Sequence, residues 1–82
     1  MTIKNEAARL VKSYRKKQKI TQEELAFRSD IPYRTIQDIE GGLREPRFDT
    51  VFKLAKGFKI HHSELVDPIF SAWAQDHQDE KQ

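Results

Sequence analysis

Four polar side chains of different chemistry stand close together between residues 33 and 38. They are an aromatic hydroxyl, a guanidinium, an amide and a carboxylate, on Tyr33, Arg34, Gln37 and Asp38. The apolar residues Ile36 and Ile39 recur three apart, so a helix here would turn them inward and the polar set outward. Such side chains can bond base edges and phosphates. The segment therefore indicates a nucleic-acid-reading helix, with an ordinary solvated helix as the alternative.

No other residue set has the types and spacing that metal binding or catalysis requires. His61 and His62 are adjacent, so their rings would point apart on a helix, and His77 has no thiol or acidic ligand at a fixed spacing. A Ser-His-Asp hydrolase needs a larger scaffold and a strained elbow such as G-x-S-x-G, and no glycine-rich phosphate loop is present. We therefore predict no metal, no cofactor and no enzymatic activity.

The size and composition of the chain predict one small domain. Its 82 residues, 37% apolar and 34% charged, can close a single modest core, which a second subunit often stabilises. There is no cysteine, the polar start lacks the apolar region of a signal peptide, and no apolar run approaches the roughly 18 residues of a membrane span. We expect a cytoplasmic homodimer that does not enter a membrane.

Charge is divided unevenly along the chain. Residues 1–60 carry 14 lysines and arginines against 8 acidic residues, a net charge of +6, whereas residues 61–82 carry 1 against 5, a net charge of −4. A basic body with an acidic tail suits contact with a polyanion through one face. Charge that merely keeps the protein soluble is the alternative.

Helical periodicity predicts two helices in the first 30 residues. The first covers about residues 5–18, with Asn5 as its N-cap. The second begins at Thr21, because Thr21 and Glu24 have the spacing of a capping box, and it ends near Asp30, a residue that tolerates a left-handed turn. The next helix must then begin within a few residues.

A third helix begins at about Pro32 and ends at the glycines 41 and 42, and its inward residues are Ile36, Ile39 and Glu40. The tight turn before it would hold the second and third helices at a steep angle. The third helix would then project from the body, and a DNA major groove is wide enough to admit it.

The remaining residues predict a fourth helix and a short fifth helix. The fourth covers about residues 48–57, and Gly57 lies near its end. Its apolar residues at helical spacing would form part of the core, and they are Phe48, Val51, Phe52, Leu54 and Ala55. The fifth covers about residues 62–67 and is interrupted by Pro68. We find no pattern typical of a strand.

Ile69, Phe70 and Trp73 would lie on one side of an additional short helix after Pro68. An apolar patch outside a small core is expected to be buried against another surface. We favour a two-fold dimer interface, with packing on the chain's own domain and docking of another protein as alternatives. From Gln75 onward the sequence is polar and is expected to fray.

Residues 10–66 resemble the helix-turn-helix domains of the lambda-repressor and Cro type. The matching pieces, in the family's order, are T-Q-E-E-L-A at residues 21–26, I-Q-D-I-E-G-G at residues 36–42, Pro46, and L-A-K at residues 54–56. The resemblance implies an all-α domain of five helices over residues 1–67 that binds double-stranded DNA. Residues 68–82 would then be a C-terminal apolar segment, suited to dimerisation, and a polar tail.

The resemblance also implies which side chains of the third helix read bases. Tyr33, Arg34 and Asp38 occupy base-facing positions, with Thr35 and Gln37 beside them. An arginine can hold guanine through O6 and N7 together, so Arg34 is the first candidate for specificity. Tyr33 can pack on a thymine methyl or donate to a phosphate. Asp38 can accept from cytosine N4, or it can orient Arg34.

Four further residues are predicted to contact the DNA backbone. Gln22, at the start of the second helix, would bond a phosphate and brace the third helix. Lys16 on the first helix would contribute a sequence-independent contact. Arg44 and Arg47 lie in the loop that the family presses onto the backbone, where an arginine can also reach a narrow minor groove. The alternative is that this loop is exposed to solvent and that Arg44 and Arg47 do not contact DNA.

The remaining matches and departures concern structure. Arg15 and Glu40 match a partly buried ion pair that joins the first and third helices in the family. Asp30 replaces the usual glycine of the turn, and Pro32 replaces a serine, so one phosphate-facing hydroxyl is missing. Arg47 replaces a serine at the start of the fourth helix, which weakens that cap.

These features predict a dimeric repressor or autoregulator that reads an inverted repeat, with half-sites about 34–36 Å apart. Restriction-modification controllers, small phage or mobile-element repressors and toxin-neutralising regulators all share this plan. The alternative is a protein-interaction module, such as a toxin-neutralising partner, whose surface around Trp73 binds another protein while DNA contact is secondary.

Overall fold

Five α-helices joined by short loops make up the fold. The computed structural model describes residues 2–76, and that range contains no β-strand. The helices are α1 (Ile3–Lys17), α2 (Gln22–Ser29), α3 (Tyr33–Glu40), α4 (Phe48–Phe58) and α5 (Ser63–Asp76). The predicted all-α fold with five helices is confirmed. None of these five helices is both long enough and apolar enough to cross a lipid bilayer.

Threonine side chains begin the first two helices. The Thr2 hydroxyl accepts from the Asn5 amide at 3.1 Å, and the Thr21 hydroxyl accepts from the Glu24 amide at 3.0 Å. The predicted cap at Thr21 is therefore confirmed. The prediction that Asn5 caps α1 is wrong, because Thr2 already satisfies the free Asn5 amide and starts the helix at Ile3.

One residue in the left-handed region makes the turn between α2 and α3. Asp30 has a φ of 57°, as predicted, and aspartate adopts this conformation at lower cost than most residues. Ile31 follows and is buried, which anchors the turn to the core. Pro32 then has the φ of −56° that suits a helix entry, and it provides no side-chain cap. The turn thus tolerates the absence of the family's glycine and serine.

All five helices contribute to one core. Its largest fully buried apolar side chains are Val11, Leu25, Ile36, Ile39, Leu54, Phe58 and Leu65. The helices α2 and α3 have eight residues each, and helices this short are not stable alone in water. Packing against α1 and α4, and not intrinsic helix propensity, therefore holds the helix-turn-helix unit in shape.

α2 and α4 lie very close to each other at Gly57. A Cβ atom at residue 57 would lie 2.9 Å from the Ser29 Cβ and 3.1 Å from the Ser29 backbone nitrogen. The Ser29 hydroxyl is turned toward its own helix, where it donates to the Leu25 carbonyl at 2.6 Å. Only glycine allows this separation between the two helices, although the sequence indicates glycine merely as a helix end.

Gly57→Ala is expected to lower the free energy of unfolding by about 1–2 kcal/mol. Alanine favours a helix by about 1 kcal/mol relative to glycine, but the overlap with backbone and Cβ atoms of Ser29 outweighs this gain. Urea unfolding monitored by circular dichroism measures the change. Lys56→Ala, at the exposed neighbouring position, serves as the control and should be nearly neutral. A stabilised Gly57→Ala variant would contradict the close approach.

The prediction that Phe48 and Phe52 face the core is wrong. Phe48 is 74% exposed and Phe52 is 46% exposed, whereas Val51, Leu54 and Phe58 of the same helix are buried. Residues of a helix are about 100° apart, so Phe52 lies roughly a quarter of a turn from Val51. A core this small covers a narrower stripe of α4 than its apolar residues span.

The prediction that Pro68 ends the fifth helix is also wrong. α5 continues through Pro68 to Asp76, so the residues expected in a separate sixth helix belong to α5. Leu65 and Ala72 lie on one face of α5 at a spacing of seven and are both buried, so packing stabilises the helix on both sides of Pro68. The helix thus crosses the boundary predicted between residues 67 and 68.

Candidate nucleic-acid interface

α3 has one buried face and one exposed face. Ile36 and Ile39 are completely buried, and Glu40 is 4% exposed. On the opposite face, Tyr33 is 43% exposed and the side chain of Arg34 is 82% exposed. The two residues at the start of α3 that are predicted to read bases therefore lie on the surface of the protein.

The other three predicted base-reading residues differ in exposure. Gln37 is exposed, Thr35 is half-buried, and the side chain of Asp38 is only 19% exposed. Two arginines cover the Asp38 carboxylate. Arg34 Nε lies 3.3 Å from Asp38 Oδ1, and Arg44 Nη2 lies 3.5 Å from Oδ2. The Asp38 carboxylate thus links the exposed face of α3 to the loop that follows this helix.

An ion pair fixes the C-terminal end of α3 from behind. Arg15 donates from Nε and Nη2 to the two carboxylate oxygens of Glu40, at 2.7 and 3.0 Å. Arg15 Nη1 also donates to the Ile20 carbonyl at 3.0 Å. The hydrogen bonds to Glu40 raise the pKa of Arg15 above its ordinary value, so the guanidinium stays charged. Two parallel charge-assisted bonds give this contact between α1 and α3 both strength and direction.

Gln22 connects the start of α2 to the same ion pair. Its Nε2 donates to Glu40 Oε1 at 3.1 Å, which braces the end of α3. A side-chain amide nitrogen carries two N–H groups, so the second remains able to donate to a phosphate. The phosphate contact itself stays a prediction.

The chain turns sharply after α3. Gly42 has a φ of 74°, the Gly42 amide donates to the Ile39 carbonyl at 3.1 Å, and the Leu43 amide donates to the Asp38 carbonyl at 2.9 Å. A residue in the left-handed region after a helix allows these bonds, which satisfy its last carbonyls. The turn directs the loop back along α3 and so brings Arg44 within reach of Asp38.

The basic residues predicted to contact the DNA backbone are all exposed. The side chain of Arg44 is 51% exposed, and that of Arg47 is 84% exposed with its Nε 3.7 Å from a carboxylate oxygen of Asp49. Lys16 lies beside an open cleft between α1 and Gly42. Arg47 makes no side-chain cap for α4, as its replacement of serine predicts.

An apolar groove lies between α4 and α5. It is lined by Ile3, Pro46, Phe48, Val66, Phe70 and Trp73 among others. Phe70 is 62% exposed and Trp73 is 43% exposed, and their rings stack with centroids 5.8 Å apart. Ile69, the third residue predicted for dimerisation, is half-buried against the core. Neither Phe48 nor Pro46 was predicted to line this groove, because helical spacing places Phe48 in the core and Pro46 is marked only as part of the family match.

The histidines do not form a metal site in the part of the chain that the structure describes. No group of three His, Cys, Asp or Glu side chains within residues 2–76 could hold a metal ion. The expectation that the rings of His61 and His62 point apart is wrong: they lie in the turn before α5, and their centroids are 4.2 Å apart. His77 lies outside the described residues.

The chain is similar to known helix-turn-helix proteins in sequence and in fold. The helix-turn-helix family model matches residues 11–65. An uncharacterized HTH-type transcriptional regulator of Sinorhizobium fredii (strain NBRC 101917 / NGR234), y4dJ, is 35% identical over 54 residues, which are 66% of this chain and 70% of that protein. A mutant of the restriction-modification controller protein C.Esp1396I has the same fold, with a TM-score of 0.75 over 87% of this chain and 92% of that chain at 20% identity.

The matched range contains the exposed face of α3 and the Arg15–Glu40 pair behind it. The resemblance that the motifs predict is therefore confirmed. Members of this family regulate transcription by binding DNA, and the family is not a class of enzymes. The chain belongs to the lambda-repressor and Cro type of the helix-turn-helix family of DNA-binding transcriptional regulators.

Proposed function

We propose that the protein is a dimeric transcriptional repressor or autoregulator, acting in the cytoplasm, that lays α3 into the major groove of each half of an inverted-repeat operator. The observation that carries the proposal is the exposed polar face of α3. The ion pair between Arg15 and Glu40 fixes the C-terminal end of this helix to α1. A major groove about 12 Å wide admits one α-helix. Because its C-terminal end is fixed, α3 would present its exposed side chains to that groove in one orientation.

Base reading falls mainly to the first turn of α3. Recognition helices of this kind contact base edges with their N-terminal residues, and Tyr33 and Arg34 occupy that turn. The guanidinium of Arg34 can hold O6 and N7 of guanine. Gln37 lies one turn further along the exposed face, whereas Thr35 is half-buried. These residues would set sequence preference.

Phosphate contacts would come from elements on both sides of α3. Gln22 lies at the start of α2, Lys16 on α1, and Arg44 and Arg47 in the loop after α3. Each cation that neutralises a phosphate releases a counterion, so affinity for all sequences falls with rising salt. These contacts would fix the register of the protein on the duplex without selecting bases.

Dimerisation would use the apolar groove and the exposed rings of Phe70 and Trp73. Exposed aromatic rings that lie next to each other, as those of Phe70 and Trp73 do, are typical of surfaces that become buried in an interface. A two-fold dimer presents two copies of α3 to the same side of the duplex. The half-sites would then lie about 34–36 Å apart, one helical turn of DNA.

Selection of bound fragments from random duplex DNA tests the proposed function directly. We expect enrichment of inverted repeats with half-sites one helical turn apart, each containing a G·C pair at a constant position. The competitor is random duplex DNA at moderate ionic strength, where non-specific binding is weak. Failure to enrich any sequence under these conditions would contradict DNA readout by α3.

Arg34→Ala is expected to reduce the preference for the selected guanine by roughly 5- to 150-fold, because a bidentate arginine contact contributes about 1–3 kcal/mol of discrimination. Lys16→Ala and Arg47→Ala are matched cationic controls. Each should weaken binding to all sequences alike and reduce the slope of log affinity against log salt by about 1. Binding of the variants to an array of operator point mutants separates the two effects. Equal losses for all three variants on every sequence would argue against base reading by Arg34.

A second candidate function is a protein-interaction module, for example the neutralising partner of a toxin. The apolar groove beside Phe70 and Trp73 favours it, since its exposed rings suit a protein surface as well as a second copy of the chain. If this function dominates, Trp73→Ala would abolish a complex with the second protein and leave DNA affinity nearly unchanged. If DNA readout through a homodimer dominates, the same variant would weaken operator binding.

A further inference from the structure

The Asp38 carboxylate occupies a base-facing position of α3, yet both of its oxygens already face a cation. Oδ1 lies 3.3 Å from Arg34 Nε and Oδ2 lies 3.5 Å from Arg44 Nη2. An acidic side chain that reads a base must present a free lone pair to cytosine N4, and each arginine contact competes for the lone pairs of one carboxylate oxygen. With each oxygen directed at an arginine, the geometry favours an intramolecular role for Asp38.

The contact with Arg34 leaves the outer edge of that guanidinium available. The hydrogen bond to Asp38 uses Nε, the nitrogen nearest the backbone. The two terminal nitrogens keep their N–H groups, and such a pair of donors matches O6 and N7 of guanine. The Arg34 side chain is otherwise 82% exposed, so without Asp38 it would sample many rotamers. An arginine held in one rotamer loses less conformational entropy when it binds.

Through its contact with Arg44, Asp38 also restricts the loop that follows α3. Arg44 lies beyond the two glycines that end α3, and its side chain is 51% exposed. Its ion pair with Asp38 ties the loop to the exposed face of α3, next to Arg34. The cluster of two arginines and one carboxylate carries a net charge of +1, so Asp38 would not be repelled by phosphates as an isolated carboxylate would.

We propose that Asp38 is a positioning residue that sets the operator's sequence preference by orienting Arg34 toward a guanine and holding Arg44 beside it. This inference rests on the proposed function, since it assigns the base that the same helix face selects. Asp38 itself contacts no base. A half-site read in this way contains a guanine opposite the outer edge of Arg34.

Asp38→Ala and Asp38→Asn together separate positioning from charge. Both substitutions remove the negative charge, but the side-chain carbonyl oxygen that Asp38→Asn retains could still accept from Arg34 Nε. If Asp38 acts only as a repulsive charge, both variants bind every sequence more tightly and keep the wild-type preference. If Asp38 positions Arg34, only the alanine variant loses preference for guanine.

We expect Asp38→Ala to reduce the preference for guanine at the Arg34 position by about tenfold, while preferences at other positions change by less than about twofold. Asp38→Asn should stay within about threefold of the wild-type preference. Affinity for random DNA should rise for both variants, with a steeper salt dependence, because both remove a negative charge beside the two arginines. Glu45→Ala, which removes an exposed carboxylate from the same loop, is the charge-matched control and should leave preference unchanged.

Measurement in the Arg34→Ala background completes the test. There, Asp38→Ala should cause no further loss of preference for guanine, because its effect acts through Arg34. Circular dichroism and thermal unfolding show that each variant is folded. An alanine variant that keeps the wild-type guanine preference overturns the inference and leaves the proposed function intact. A wild-type protein without any sequence preference overturns the proposed function, and this inference with it.

Discussion

Glu40→Ala is expected to lower the free energy of unfolding by about 3–5 kcal/mol, a large share of the roughly 5–15 kcal/mol that stabilises a small domain. The variant leaves the Arg15 guanidinium, which is 17% exposed, without its carboxylate partner. It also removes the acceptor of the Gln22 amide. Because these bonds join α1, α2 and the end of α3, their loss would also release α3.

Urea unfolding of the purified variants measures this effect. Glu24→Ala is the matched control, since Glu24 pairs with Arg28 at 2.9 Å but both side chains are at least one-third exposed. An exposed pair of this kind contributes at most about 1 kcal/mol. Replacing Arg15 and Glu40 together by leucine should restore much of the lost stability, because the isolated charge is then absent. Similar losses for Glu40→Ala and Glu24→Ala would show that the Arg15–Glu40 pair does not anchor α3.

Phe70→Glu is expected to convert the proposed dimer into monomers and to lower affinity for the proposed operator by about 10²- to 10⁴-fold. The affinity falls because each protomer must then bind its half-site without the effective concentration that its linked partner provides. Phe70 is 62% exposed, so the folded monomer can accept a charged side chain at this position. A two-fold interface would bring two such carboxylates together in an apolar environment, which is strongly unfavourable.

Sedimentation velocity gives the oligomeric state, and operator binding gives the functional consequence. Phe27→Glu is the matched control for oligomeric state, because Phe27 is 83% exposed on α2, away from the apolar groove. It should leave the dimer intact. Thermal unfolding of both variants checks that the monomers are folded. A Phe70→Glu variant that remains dimeric would place the interface elsewhere, and wild-type protein that saturates its operator as a monomer would contradict the dimer itself.

Local features of the fold were predictable because they depend on neighbours in the chain. The Thr21 cap, the left-handed Asp30 and the end of α3 at its glycines each follow from backbone conformations that particular residues favour. The alternation of Ile36 and Ile39 with polar residues likewise defines which face of α3 is buried. These rules operate within a few residues and need no knowledge of the rest of the molecule.

The errors arose where distant elements compete for the same space. Phe48 and Phe52 satisfy helical spacing, but the core has room for only part of that face of α4. Pro68 is unfavourable within a helix, yet burial of Leu65 and Ala72 stabilises α5 on both sides of it. Such outcomes depend on the balance between local preference and tertiary packing, which spacing alone does not contain.

The sequence by itself determined the family, the order of the helices and the side chains that α3 turns outward, since motif spacing and periodicity carry that information. Only the tertiary structure decided how those side chains are held. It brings Gln22 and Arg15 onto Glu40, and Arg44 onto Asp38. These partners come from different elements, and folding alone brings their polar groups within a few ångströms of each other.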